Sequence, residues 1–227
     1  MYALYIANKN YSSWSLRPWV LLRELNIPFV EHLVPFGDTS GWGAYRKISP
    51  NGKVPGLIDG DTVVWDSLAI AEYLAERHDK VWPAGDQARA WARSAAAEMH
   101  SGFNELRNRC SMSCGVRLRL KEFPPSLQRD IARLGSLWKD GLQRFGGPFL
   151  AGRAFTAVDA FFAPVAFRIQ TYALTLDASA ADYAARLRDL PGMKSWYADG
   201  LKERFRDEPH ETEILQMSTV LEDLRAT

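Results

Sequence analysis

Tyr11-Ser12-Ser13-Trp14-Ser15-Leu16-Arg17-Pro18 decides the fold of this chain. It joins a short apolar run, Met1 to Ala7 (MYALYIA), to a segment with Trp19, Leu22 and Leu25 at helical spacing beside Val20 and Leu21. The first run reads as a buried strand and the second as a helix. Pro18 lacks an amide hydrogen and is comfortable only within a first helical turn, so the helix is expected to begin near Ser13 to Ser15. The hydroxyls then stand where a helix offers free N–H groups and partial positive charge, a ready site for an anion. The sequence has neither a Gly-rich loop nor a Walker-type lysine there, which weakens a nucleotide reading.

Outward from this turn, the pattern predicts strand 2–7, helix 15–26, strand 29–34, a short helix near 42–48, strands 56–59 and 62–65, and helix 67–77. Ser49 to Gly60 (SPNGKVPGLIDG) reads as a turn, a Pro-initiated strand and a second turn. The tight Asp59-Gly60-Asp61 turn forces an antiparallel hairpin, so the sheet has mixed pairing. Asp66-Ser67 opens the apolar helix Leu68 to Leu74.

At 227 residues the chain has room for one domain or two small ones. A formal net charge of +1 argues against nucleic acid or an acidic macromolecule as the partner. No apolar run reaches the ~18 residues of a membrane helix. The chain begins as a strand, not a basic flank with an apolar signal core, so a cytoplasmic protein is expected. Only Cys110 and Cys114 are present. Serine and tryptophan occupy the strand–helix turn where thioredoxin-like redox proteins keep a reactive cysteine, which rules out disulfide exchange there. A metal site at the two cysteines would need more ligands, and two buried thiols are the expectation.

After Arg77, residues His78 to Asp86 read as a linker with Pro and Gly. Helical stripes follow: Ala88, Trp91, Ala95, Met99, Phe103, Leu106 and Cys110, then Leu127, Ile131, Leu134, Trp138, Leu142 and Phe145, stopped by Gly146-Gly147-Pro148. Thr156 to Asp159 reads as a capping box before an apolar helix from Ala160 to Tyr172. Further helices are expected near 179–189 and 191–204. In the tail, Ile214, Met217, Leu221 and Leu224 also fall at helical spacing. The basic run of Arg107, Arg109, Arg117, Arg119 and Lys121 reads as a solvated helix face.

The order of three elements resembles the glutathione transferase superfamily: the Ser-Ser-x-Ser-x-Arg turn, the Val54-Pro55 strand start, and Asp66-Ser67 with its Ile70-x-x-Tyr73-Leu74 helix. The turn looks most like that of the zeta class. The likeness covers the first third of the chain; beyond it lie similarity of architecture and Thr156-Ala157-Val158-Asp159. It implies a thioredoxin-like α/β domain over 1–80, a linker over 81–87 and an all-helical domain over 88–227. The implied activity is conjugation of the glutathione thiolate to small electrophiles, a detoxification chemistry, in a cytoplasmic homodimer without a metal. Two alternatives remain: a zeta-type isomerase of maleylacetoacetate-like diacids, and a non-catalytic glutathione-fold binding protein. Trp14 stands where zeta-class proteins usually have Cys, which argues against the isomerase.

The site expected from the resemblance has a physical rationale. A free thiol titrates near ~8.5, and each unit of lowering is ~1.4 kcal/mol of preference for the thiolate. A helix N-terminus supplies up to ~2 kcal/mol, and one hydrogen bond to a charged acceptor roughly 1.5–3. Together they suffice, so a serine here donates to sulfur rather than attacking. By similarity Ser12 is the thiolate donor, Ser13 the next candidate, and Ser15 a helix cap; Arg17 adds positive charge. Val54, before a proline that is cis in the family, offers its backbone to the cysteinyl part of the tripeptide, and Lys53 meets the glycyl carboxylate. Asp66 and Ser67 hold the γ-glutamyl end. Tyr11, Trp14 and Trp42, with Phe103, Arg107 and Met112 from the helical part, are the candidates for the electrophile pocket.

Overall fold

The computed structural model describes residues 1–37 and 41–226. The first layer is a four-stranded sheet in the order β2-β1-β3-β4, made of β1 (Tyr2–Ile6), β2 (Phe29–Leu33), β3 (Gly56–Asp59) and β4 (Thr62–Trp65). β1 runs parallel to β2, with Leu4 opposite Glu31, and antiparallel to β3, with Leu4 opposite Leu57. Asp59-Gly60-Asp61-Thr62 turns β3 back onto β4, and Gly60 takes the positive φ of +57° that such a turn demands. This is the mixed α/β layer read from the sequence.

α1 (Ser13–Glu24) starts at the early end of the expected Ser13 to Ser15, with Ser12 as its N-cap. Its residues from Ser15 to Leu22 are buried without a break, because α1 packs on β1 and α3 (Ser67–Ala75) on one side and on α7 (Ala157–Tyr172) on the other. A helix buried all round shows a weak amphipathic pattern, as this one does. α2 (Gly41–Ile48) completes the layer.

The rest is mainly helical: α4 (Asp86–Ser101), α5 (Asn104–Arg109), α6 (Pro125–Phe145), α7, α8 (Ala178–Asp189), α9 (Pro191–Lys202) and α10 (Glu208–Met217). The long stripe from Ala88 to Cys110 is not one helix. Gly102 caps α4 in extended backbone and Phe103 takes φ +54°, so the chain turns before α5. α7 carries the expected capping box: Asp159 Oδ2 accepts from the Thr156 N–H at 2.9 Å, and its Oδ1 accepts from Leu150 N–H at 3.0 Å and Tyr183 Oη at 2.8 Å. Burial still pushes the Asp159 carboxyl up to about 6.

Two helical expectations are corrected. Val116–Leu120 forms strand β5 and Ser218–Asp223 forms strand β6; the two pair antiparallel with a shift between Arg117 and Leu118. Val116 and Leu118 point inward while Arg119 is exposed, a period of two rather than 3.6. In the tail only Ile214 and Met217 belong to the helix, and Leu221 and Leu224 stand exposed on and beyond the strand. The open edge of β5 supplies backbone partners to a β-branched stretch, Thr219-Val220, and that pairing outweighs the helical spacing.

The loop before the serine turn is bolted to α9. Lys9 Nζ is buried and contacts Glu31 at 2.9 Å and Asp199 at 2.8 Å, while Lys9 O accepts from Trp196 Nε1 at 2.7 Å. Glu203 accepts from the N–H groups of Lys9 and Asn10 at 2.7 and 3.2 Å. These contacts fix where α1 begins relative to the helical layer.

Candidate functional site

Two cavities meet at Trp14. The larger, about 510 Å³, opens over the N-terminus of α1 and is lined there by Tyr11, Ser12, Ser13 and Trp14. The smaller, about 240 Å³, runs from Trp14 past Lys53, Val54 and Pro55 to Asp66 and Ser67. Lys53 and Val54 line both. The three sequence elements, far apart along the chain, thus border one continuous depression.

At the turn, the serines divide their tasks. Ser12 is buried; its Oγ accepts from Ser15 N–H at 3.4 Å and its hydroxyl donates to Ser15 Oγ at 2.7 Å. Ser15, expected as the cap, is wholly buried one turn on, where its Oγ also accepts from the Ala7 N–H at 3.2 Å. Ser13 is only partly buried, and its Oγ accepts from Arg168 Nη2 at 3.4 Å. Its own hydroxyl proton is therefore available to the cavity. Tyr11 does not compete for that task. Its phenol donates to Glu211 at 2.6 Å, and burial with that carboxylate raises its pKa well above the usual phenol value.

The Val54–Pro55 peptide bond is cis, as the resemblance implied. Asp66 takes φ +74° and caps α3 by accepting from Leu68 N–H at 2.8 Å. Its other oxygen lies 3.5 Å from His100 Nε2 of α4. Burial lowers the His100 pKa, and Arg17 and Arg107 act in the same direction against Asp66. Arg17 does not line either cavity. It is buried beneath them, its guanidinium 4.1 Å from the Trp14 ring centroid and its Nη1 3.5 Å from both Ser67 Oγ and His100 Nδ1. Burial and the nearby Arg168 and Arg107 push its pKa down to about 9, which leaves it charged at neutral pH.

The far wall comes from the helical layer and the tail: Arg107, Asn108, Ser111, Met112, Arg168, His210 and Glu213 among others. α7 holds this wall through three side chains. Arg168 Nε donates to Cys110 O at 2.8 Å, Thr171 Oγ1 to Ser113 O at 2.7 Å, and Tyr172 Oη to Ser111 O at 3.0 Å. Burial pushes Arg168 down to about 10, so it too is cationic near neutrality. The tail closes one side, where the His210 ring stacks on Tyr11 at 5.0 Å between centroids.

Of the sequence-selected residues, Tyr11, Ser12, Ser13, Trp14, Lys53, Val54, Pro55, Asp66, Ser67, Arg107 and Met112 border the depression. Phe103 does not: it is buried in the main apolar core. The side chain of Trp42 lies outside the described residues. Arg168, His100, His210 and Glu213 were not singled out by the sequence. Arg168 left a readable trace, a lone charge within the otherwise apolar run Ala160 to Ile169. The tail residues left none. Cys110 and Cys114 are free, buried thiols, and among the described residues no cluster of three or more His, Cys, Asp or Glu side chains is arranged to hold a metal.

Comparison with known proteins places this geometry. Residues 11–77 match the family model of the glutathione S-transferase N-terminal domain. A zeta-class glutathione S-transferase from Euphorbia esula is 32% identical over 123 residues, 53% of this chain and 55% of its own. The chain thus spans about half the length of that relative. A probable maleylacetoacetate isomerase from Vibrio cholerae is 26% identical over 71% of this chain and 79% of its own. A crystal structure of a glutathione transferase homolog from Burkholderia, with bound glutathione, superposes with a TM-score of 0.66 at 21% identity, covering 88% of this chain and 97% of that one. Motif, sequence relatives and fold agree: residues 11–77 match the glutathione S-transferase N-terminal domain, the sequence is similar to zeta-class members, and the chain has the fold of the glutathione transferases.

Proposed function

We propose that this protein binds glutathione and transfers its thiolate to small electrophiles. The observation that carries the reading is Ser13, first residue of α1, on the wall of the larger cavity with its oxygen already engaged by Arg168. A hydroxyl that accepts from a guanidinium is a stronger donor through its own proton. That donor, the start of α1 and the cationic Arg168 together favour a thiolate over a thiol. Ser12 contributes by holding the turn, since its hydroxyl is committed to Ser15. The tripeptide lies along Lys53, Val54 and Pro55, as an added strand would. Its γ-glutamyl end reaches Asp66 and Ser67, and Arg17 supports that end from beneath through Ser67. The electrophile occupies the larger cavity, against Tyr11, Trp14 and Arg107.

A second reading is a cis–trans isomerase of a diacid such as maleylacetoacetate, with glutathione as catalyst. Arg107, Arg168 and Lys53 on the cavity wall favour an anionic co-substrate, and the Vibrio cholerae relative supports it. Trp14 weighs against it. Exposed Val63 and Trp65 on the edge strand β4 support a homodimer, checked by light scattering in solution. No described helix is long and apolar enough to cross a membrane. Two free thiols accord with a reducing compartment, and we place the protein in the cytoplasm, engaged in detoxification.

Ultraviolet difference titration of the thiolate tests the main reading. Bound glutathione is expected to titrate about one to two units below the free tripeptide. Binding with an unshifted thiol would leave only a non-catalytic binding protein.

A further inference from the structure

The tail places a histidine–carboxylate pair on the wall of the electrophile cavity. His210, in the first turn of α10, hydrogen-bonds through Nδ1 to Asp207, which is buried and also accepts from the His210 N–H at 3.4 Å. The His210 ring is clamped between Tyr11 and Phe36, each at 5.0 Å between centroids, and all three residues line the cavity that Ser13 lines. Asp207 is itself pinned. A Cβ on Gly37, whose φ is +77°, would fall 3.2 Å from Asp207 Oδ1, so the backbone of residue 37 closes on the carboxylate. A helix cap needs only the Asp; it does not need its own carboxylate oriented onto a cavity-lining imidazole.

A carboxylate on Nδ1 fixes the ring tautomer and leaves Nε2 as the working nitrogen. Among the described residues, Nε2 of His210 has no partner within the protein. We propose that the Asp207–His210 pair is the proton carrier of this site, and so selects electrophiles whose products must be protonated; this rests on the transferase reading above. Neutral Nε2 takes the proton of the incoming glutathione thiol, leaving the thiolate at Ser13. When the thiolate adds to the β-carbon of an α,β-unsaturated carbonyl, the new C–S bond forms and the C=C π pair moves to the carbonyl as an enolate. The His210 Nε2–H then delivers its proton to that enolate, and the imidazole is neutral again. An aryl chloride needs no such delivery: chloride leaves with its electron pair, and the proton on His210 Nε2 passes to solvent.

The experiment compares the two electrophiles in the full chain. His210→Gln lowers both rates by whatever the altered wall costs, but lowers kcat for an enone by a further factor of about 100 relative to 1-chloro-2,4-dinitrobenzene. In His210→Ala, free imidazole restores enone turnover selectively. Thiolate titration in the same variants shows whether the tripeptide is still bound. Parallel loss with both electrophiles, or no selective rescue by imidazole, overturns the proton-carrier role while leaving the transferase standing. Wild-type protein that binds glutathione with an unshifted thiol and turns over neither electrophile overturns the transferase reading itself.

Discussion

Ser12 donates its hydroxyl to Ser15 Oγ at 2.7 Å, so of two adjacent serines on the cavity wall the first spends its proton inside the protein and the second keeps its own for the cavity. Substitution separates the two. Ser13→Ala removes the proposed sulfur donor, and the bound thiol should titrate about one to two units higher, with kcat/KM at neutral pH falling about 10- to 100-fold. Ser12→Ala should instead cost about 1 kcal/mol of stability, the worth of an N-cap, measured by urea unfolding. A thiol shift confined to Ser12→Ala would reverse the assignment.

Asp66 caps α3, and in the proposed reading its charge also holds the γ-glutamyl end of the tripeptide. Asp66→Asn keeps an acceptor for the Leu68 N–H and loses the carboxylate. Stability should change by less than about 0.5 kcal/mol, since Asn and Asp cap about equally. Glutathione affinity, by calorimetry, should weaken about tenfold, or ~1.4 kcal/mol. Equal affinity in both proteins would leave Asp66 a cap only.

Much of the first layer could be read locally. Pro18 fixes a helix start to within a turn, and Asp59-Gly60-Asp61 fixes a hairpin, because each acts on its own backbone. The β5–β6 ribbon could not be read this way. Val116–Leu120 and Ser218–Asp223 are about a hundred residues apart, and neither is a strand until the other lies beside it. The same separation hides the site's tail wall. The choice of Ser12 over Ser15 as cap turned on two residues of helix start, finer than spacing alone resolves.

Cys110 and Cys114 should be inert in the native protein. Burial pushes the Cys110 thiol up to about 12, and the Cys114 thiol is raised further by burial with Glu203 nearby. A raised pKa leaves the thiol protonated, so the nucleophilic form is scarce at every pH below it. At pH ~8, iodoacetamide should label both more than about a thousandfold slower than free cysteine, as read by mass spectrometry. Labelling of folded protein at the rate of the free thiol would contradict this placement.

Gly37 should resist any side chain. Its φ of +77° costs an L-residue about 1–2 kcal/mol, and a Cβ would meet Phe205 Cζ at 2.9 Å. Gly37→Ala should lower the melting temperature by about 2–8 °C and speed proteolysis within 203–207. An unchanged melting curve would show that the loop yields without strain.

The Arg225 side chain is buried where it reaches Tyr11 Oη at 3.1 Å and Glu211 Oε2 at 3.0 Å, so residues near the last of the described chain are stitched to residues near its first. During synthesis, the serine turn leaves the ribosome some two hundred residues before the part that closes over it. The nascent protein therefore carries a cleft without its tail wall until His210, Glu213 and Arg225 have been translated. A premature stop codon at position 207 would consequently yield a chain that retains most of the core yet lacks the wall that His210 and Glu213 give the larger cavity.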